Sequence, residues 1–185
     1  MSTQEPTTET EAAPASTEEE AEVSIAEVTD VAEEEFRNSI RSARGCVVEK
    51  EVPCDLYTSM SAELVEWRHG QWYPTGNIVD NRNRWGVRVR FGYWGRVADC
   101  LTGDIKITVW WDGFSNLPEG HKDHYIRNVD PCAAHRYEVV IPMTGELECP
   151  DHQGVYDIAM TLDFLCCRKP LVLGHCDLEA IRVTC

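Results

Sequence analysis

The chain has 185 residues and a formal net charge of −15, which sizes it as one domain plus an extension at about 100–200 residues per domain. The charge is uneven: residues 1–40 hold twelve acids against the single base Arg37, a net of −11, which leaves −4 for residues 41–185. Such a balance lacks the Lys and Arg surplus that non-specific nucleic-acid binding needs, and no apolar run approaches the roughly 20 residues of a membrane-spanning helix.

Residues 1–22 are Glu, Thr, Ser, Ala and Pro, with almost nothing to bury. They cannot offset the entropy of ordering, so a disordered acidic arm is expected. The start MSTQEPTTETEAAPASTEEE lacks the basic region and apolar run of a secretory signal, and N-x-[ST] acceptor sites are absent. A cytoplasmic location is therefore expected, with export inside an assembly as the alternative. Residues 23–44 read as an amphipathic helix and linker. Ser24-Ile25-Ala26-Glu27 has the form of a capping box, and Val28, Ala32, Phe36 and Ile40 recur every four residues as a stripe on a helix of residues 25–43. Arg37, Arg41 and Arg44 suit its C-terminal end, and Gly45 suits its stop. Val28, Phe36 and Ile40 are the residues by which this helix would dock, on its own body or on a neighbour.

From Cys46 the period changes to two, and residues 45–185 read as one β-sandwich domain. Residues 46–52 (CVVEKEV) predict a strand ended by Pro53, while residues 61–79 mix strand and turn signals. In WGVRVRFGYW, Val87, Val89, Phe91 and Tyr93 share one face; in DIKITVWWDG, Ile105, Ile107, Val109 and Trp111 do. EGHKDHY reads as a polar loop. YEVVI, GVYDIAMTLDFL and the pair Ile181 and Val183 complete the series, with RKPLVLG as a turn. Antiparallel strands with one wet face have this pattern, and many of them with little helix between indicate an all-β sandwich or barrel. Asp151-His152-Gln153-Gly154-Val155-Tyr156 resembles the turn and tyrosine that open strand F of immunoglobulin-like and fibronectin-III-like sandwiches, where the hydroxyl pins the preceding turn. The resemblance is architectural and covers about 15 residues on that pattern. Antibody domains carry a Cys two residues after the Tyr, where Ile158 stands here. It implies an immunoglobulin-like antiparallel sandwich, with a jelly roll as runner-up.

Nine cysteines cannot all pair internally, and without a signal the default is reduced, largely buried thiols. Cys132-x2-His135 followed by Cys149-x2-His152 is the best metal candidate, because thiolate and imidazole at that spacing suit a tetrahedral structural zinc. Against it stands a set of ordinary loops, and no cofactor is the working expectation. His121 and His124 form a weaker pair of the same kind. Cys166-Cys167 and His175-Cys176 raise a Cys-His nucleophile, but no third group or oxyanion hole accompanies them.

Strand parity places Trp94 and Trp110 opposite the aliphatic core, beside Arg88, Arg90 and Lys106. Outward aromatics anchor protein contacts or stack on sugar rings. Together with Trp72 and Tyr73 they mark a binding surface. The function expected is a non-enzymatic structural or protein-interaction module, a subunit of a larger assembly, whose partner is a protein or a second copy. The alternatives are a carbohydrate-binding sandwich and a zinc-binding domain or metal-dependent enzyme. Neither nucleic acid nor membrane is expected as a partner.

Overall fold

The computed structural model describes residues 25–27, 46–47, 56–95, 98, 102–129, 135–149, 153–166 and 169–185. They build strands β1 (Ile25–Glu27), β2 (Cys46–Val47), β3 (Leu56–Arg68), β4 (Gln71–Pro74), β5 (Ile78–Asp80), β6 (Trp85–Gly95), β7 (Gly103–Gly113), β8 (Gly120–Val129), β9 (Arg136–Pro142), β10 (Gln153–Cys166) and β11 (Lys169–Thr184). One sheet runs in the order β1-β9-β6-β3-β4; the other runs β2-β11-β10-β7-β8, with β5 beside β11. All pairings are antiparallel except β5 with β11, which run parallel at Ile78↔Arg182. The architecture is an all-β sandwich.

The two-residue period decides which side chains meet between the sheets. Val87, Val89, Phe91 and Tyr93 from β6 face Ile105, Ile107, Val109 and Trp111 from β7, and Ile158, Met160, Leu162 and Phe164 from β10, all buried. Burying each large apolar side chain contributes about 1.5–3 kcal/mol, so these alternating positions carry the fold. Trp85 closes one end of the core at 0% exposure, and its indole N–H donates to Asn81 Oδ1 at 3.1 Å. The corner before β10 is tied twice. The Tyr156 hydroxyl, on a side chain with 0% exposure, donates to the Glu148 carbonyl at 2.7 Å, as the DHQGVY turn predicts. Next to it, Cys149 and Cys185 form a disulfide.

Several expectations change. Residues 25–27 pair with β9 at Ile25↔Val139 instead of opening a helix, because the edge of β9 offers unpaired backbone groups that a short extended segment satisfies. The remainder of the 23–44 helix, including Phe36, and the 1–22 arm lie outside the described residues. Beyond Glu119, EGHKDHY is not a loop but the first part of β8. Apolar alternation is missing because the inward positions include Lys122 and His124 on an edge strand, where an inward charge guards against further pairing. Lys122 Nζ reaches the Pro142 carbonyl at 2.9 Å and Glu146 at 2.6 Å. The mixed segment 61–79 resolves into the end of β3, β4 and β5, and the RKPLVLG turn is mostly strand, with Pro170 opposite Leu165 near the hairpin tip. Reduced thiols are also corrected: Cys149, Cys176 and Cys185 are disulfide-bonded. An odd cysteine count forbids only a complete set of bridges, not individual ones.

Candidate functional site

A cleft of 790 Å³ opens on the outer face of the β8-β7-β10-β11 sheet, lined by Trp110, Trp111, Asp112, Glu119, Gly120, His121, Asp157, Ile158, Ala159, Asp177 and Glu179. Its centre is Trp110. Parity on β7 alternates Ile107, Val109 and Trp111 inward with Thr108, Trp110 and Asp112 outward. Trp110 lies opposite His121 on β8 and Ala159 on β10. The small Ala159 leaves one flank of the indole open, and the ring stays 45% exposed. Its orientation is held by the His121 ring, 4.8 Å away at 35°, and by a 3.4 Å hydrogen bond from Nε1 to Thr161 Oγ1.

The walls are carboxylates, each put there by strand geometry. Asp112 and Asp157 are register partners, two residue-pairs beyond Trp110 and Ala159 and so on the same face. On β11 a bulge inserts one extra residue between the pairs Asp157↔Ala180 and Ala159↔Asp177. Bulges re-aim side chains at such points. Here the bulged stretch includes Glu179 at φ 64°, an unusual left-handed value for a residue other than glycine, and Asp177 and Glu179 both face the cleft. Glu119 comes from the β7–β8 connection. Gly120 beside it is required, since a Cβ there would sit 2.5 Å from the Trp111 ring.

Most other carboxylates among the described residues are matched. Glu63, Glu66, Asp80, Asp104, Asp123, Glu138 and Glu146 each hold a Lys or Arg of the same chain. Lys106, the cation nearest Trp110 along β7, is bound to Asp123 at 3.0 Å, a bond that raises its ammonium above the ordinary range. Around the cleft the pattern stops. Asp112, Glu119, Asp157 and Asp177 have no hydrogen-bond or ion-pair partner among the described residues, and Glu179 has only the Asn77 amide at 3.3 Å. The site therefore offers a fixed aromatic face and several negatively charged hydrogen-bond acceptors.

Of the residues singled out by sequence, Trp110 and His121 lie here, the latter as the neighbour of the indole rather than as half of a metal pair. Trp94 sits on the opposite sheet, stacked on Tyr57 at 6.3 Å. Trp72 packs edge-on against Trp67 at 5.2 Å, and Tyr73, 42% exposed, neighbours it on β4. Between these two aromatic groups the outer face of that sheet carries an ion network. Arg88, buried, donates to Glu63 at 3.1 Å and to the Trp72 carbonyl at 2.6 Å, while Arg90 joins Glu63 at 3.0 Å and Glu138 at 2.6 Å. The four aromatics are thus not one surface.

Of the metal candidates Cys132, His135, Cys149 and His152, only His135 and Cys149 are described. Cys149 is bonded to Cys185, and a disulfide sulfur carries no thiolate charge. His135 lies against the Tyr93 ring at 4.6 Å; Cys132 and His152 lie outside the described residues. His121 and His124 are three apart on one strand, so they point to opposite faces. Cys176 is fully buried and disulfide-bonded, which removes it as a nucleophile. Among the described residues no group of three or more His, Cys, Asp or Glu is placed to hold a metal ion, and no helix is long and apolar enough to cross a membrane.

No family model, curated protein or solved structure matches the chain. Sequence reasoning missed Asp112, Glu119, His121, Asp157, Asp177 and Glu179 as companions of Trp110. Asp112 and Asp157 were within reach, since both alternate with core residues on the outward face. Asp177 and Glu179 required the bulge and the strand order, which no local pattern encodes.

Proposed function

We propose that this chain is a non-enzymatic binding module, an immunoglobulin-like sandwich of the fibronectin-III kind that engages a protein partner through the Trp110 cleft. Two features support the fold type. β3-β6-β9 faces β8-β7-β10-β11 in the order that strands A-B-E and C′-C-F-G take in that architecture, and Tyr156 at the start of the F-equivalent strand ties its own corner. The observation that carries the function is Trp110, a half-exposed indole held in fixed orientation within a 790 Å³ cleft. Large rigid rings bury much surface at little entropic cost, which is why they dominate recognition sites. The disulfide favours an oxidising setting, as reached by export within an assembly.

A second reading has its own support. An indole face flanked by carboxylate acceptors also suits a saccharide, whose apolar face stacks on the ring while its hydroxyls donate to Asp157 and Asp177. Peptide and glycan arrays probed with the full chain and with Trp110→Ala test both. Binding that disappears in the variant, at an unchanged thermal midpoint, supports the module and reports the class of ligand. Array binding that is indifferent to Trp110 refutes it.

A further inference from the structure

We propose that the cleft takes a cationic side chain of a protein partner, an arginine or lysine laid over the Trp110 indole; this rests on the reading of the cleft as a binding site. The open sheet face defines the site before its charge does: one exposed indole stands in a cavity large enough for a side chain and its flanking backbone. Charge then selects the occupant. Five acids and no lysine or arginine line the cavity, and four of those acids lack any partner among the described residues, on a body whose other carboxylates are mostly paired. A neutral sugar would use the ring and the acceptors but leave the mutual repulsion of Asp112, Asp157 and Asp177 in place. A guanidinium relieves that repulsion, donates to the carboxylates in its own plane, and presents a flat face to the electron-rich ring.

The cavity also has a direction. Beyond Asp177 and Glu179 lies a smaller hollow of 190 Å³ between β3 and β11, lined by Ala62, Glu63, Leu64, Thr75, Asn77 and Leu178 as well as those two acids. An extended segment of a partner crossing β7, β10 and β11 would run from the indole into this hollow and meet Glu179 on the way. The chain's own acidic arm is the wrong sign to fill the site: residues 1–40 carry a net −11. The occupant is therefore a basic segment of another protein.

The test uses the full chain, a fluorescent peptide containing three consecutive arginines, and the same peptide with citrulline, the uncharged isostere, in their place. The arginine peptide should bind roughly tenfold or more tightly than the citrulline peptide, with an affinity that falls as salt rises. Trp110→Ala and the pair Asp157→Asn/Asp177→Asn should each weaken it about tenfold, while Trp110→Tyr retains most of the binding. Tyr73→Ala, on the other sheet, should leave it unchanged. Because the acidic arm is identical in every variant, arginine-peptide binding that survives both Trp110→Ala and the double Asn change would assign that binding to the arm and overturn the inference. Loss of glycan binding in Trp110→Ala, with no Trp110-dependent peptide binding, would sink the cationic occupant and keep the binding module. If neither ligand depends on Trp110, both fall.

Discussion

Tyr156→Phe removes one hydroxyl and nothing else from the corner that opens β10. The ring, at 0% exposure, keeps its packing, so the loss is the 2.7 Å bond to the Glu148 carbonyl. A typical intramolecular hydrogen bond contributes about 0.5–1.5 kcal/mol. Glu148 is an exposed residue, so water can take the place of the lost donor, and a value near 1 kcal/mol is expected. For a body of this size that corresponds to about 2–4 °C in thermal midpoint, or roughly 0.3–1 M urea. Equilibrium urea unfolding followed by tryptophan fluorescence reads it, with the slope unchanged. Gly154→Ala offers a second approach to the same bond, because a Cβ there would lie 2.9 Å from both the Glu148 oxygen and the Tyr156 ring. If the corner is one unit, the two changes couple, and Gly154→Ala costs less when Tyr156→Phe is already present. Alkaline pH gives a further sign. Burial raises the Tyr156 hydroxyl above the ordinary tyrosine range, so its contribution is complete below about pH 10 and is lost as pH climbs toward the folded-state value. Wild type should therefore lose stability more steeply than Tyr156→Phe above that pH. An unchanged urea midpoint in Tyr156→Phe would refute the pinned corner.

Three other outcomes are expected. Cys149→Ser opens a bridge across a sequence separation of 36 and should lower stability by about 3–4 kcal/mol on loop-entropy grounds, while peptide mapping of unreduced protein should recover Cys149 and Cys185 in one linked fragment. Burial lowers the His124 imidazole below the usual histidine range, so the folded state resists its protonation; stability should fall as pH drops below about 6.5, and a His124→Gln variant unfolded in urea at several pH values should lose part of that slope. Arg88→Ala removes the buried guanidinium shared by Glu63 and Glu138 and its bond to the Trp72 carbonyl, while Arg90 still holds both carboxylates, and should cost about 1–2 kcal/mol in urea unfolding, whereas Arg82→Ala, at an exposed pair with Asp80, should not move the midpoint.

How much of this was legible depends on how local the determining physics is. Val87, Val89 and Phe91, or Ile158, Met160 and Leu162, declare a strand and its inward face by alternation alone, and the six residues ending at Tyr156 declare a corner. Strand β8 was illegible because its inward positions hold Lys122 and His124, and the Lys122 ammonium is satisfied only by the Pro142 carbonyl and Glu146, far along the chain. The disulfides were illegible for a related reason: the spacing of Cys149 and Cys185 says nothing until β11 is known to finish beside the turn before β10. For the site, the outward placement of Trp110 could be read from parity. Asp112 and Asp157 could be read the same way, but Glu119, Asp177 and Glu179 could not, because they come from a connection and from a bulge that depends on how two strands pair.

The parallel pairing of β5 with β11 has a mechanical consequence. Ile78, Val79 and Asp80 lie beside Arg182, Val183 and Thr184 and run in the same direction, so once the Cys149–Cys185 bridge is reduced, tension applied after Thr184 and before Ile78 slides the two strands along each other. Their hydrogen bonds then bear the load together instead of opening one after another, as they would in a hairpin pulled from its ends. A body joined to others through these two segments would act as a shear-loaded link, stiff along the line of the strands and weakest when peeled sideways.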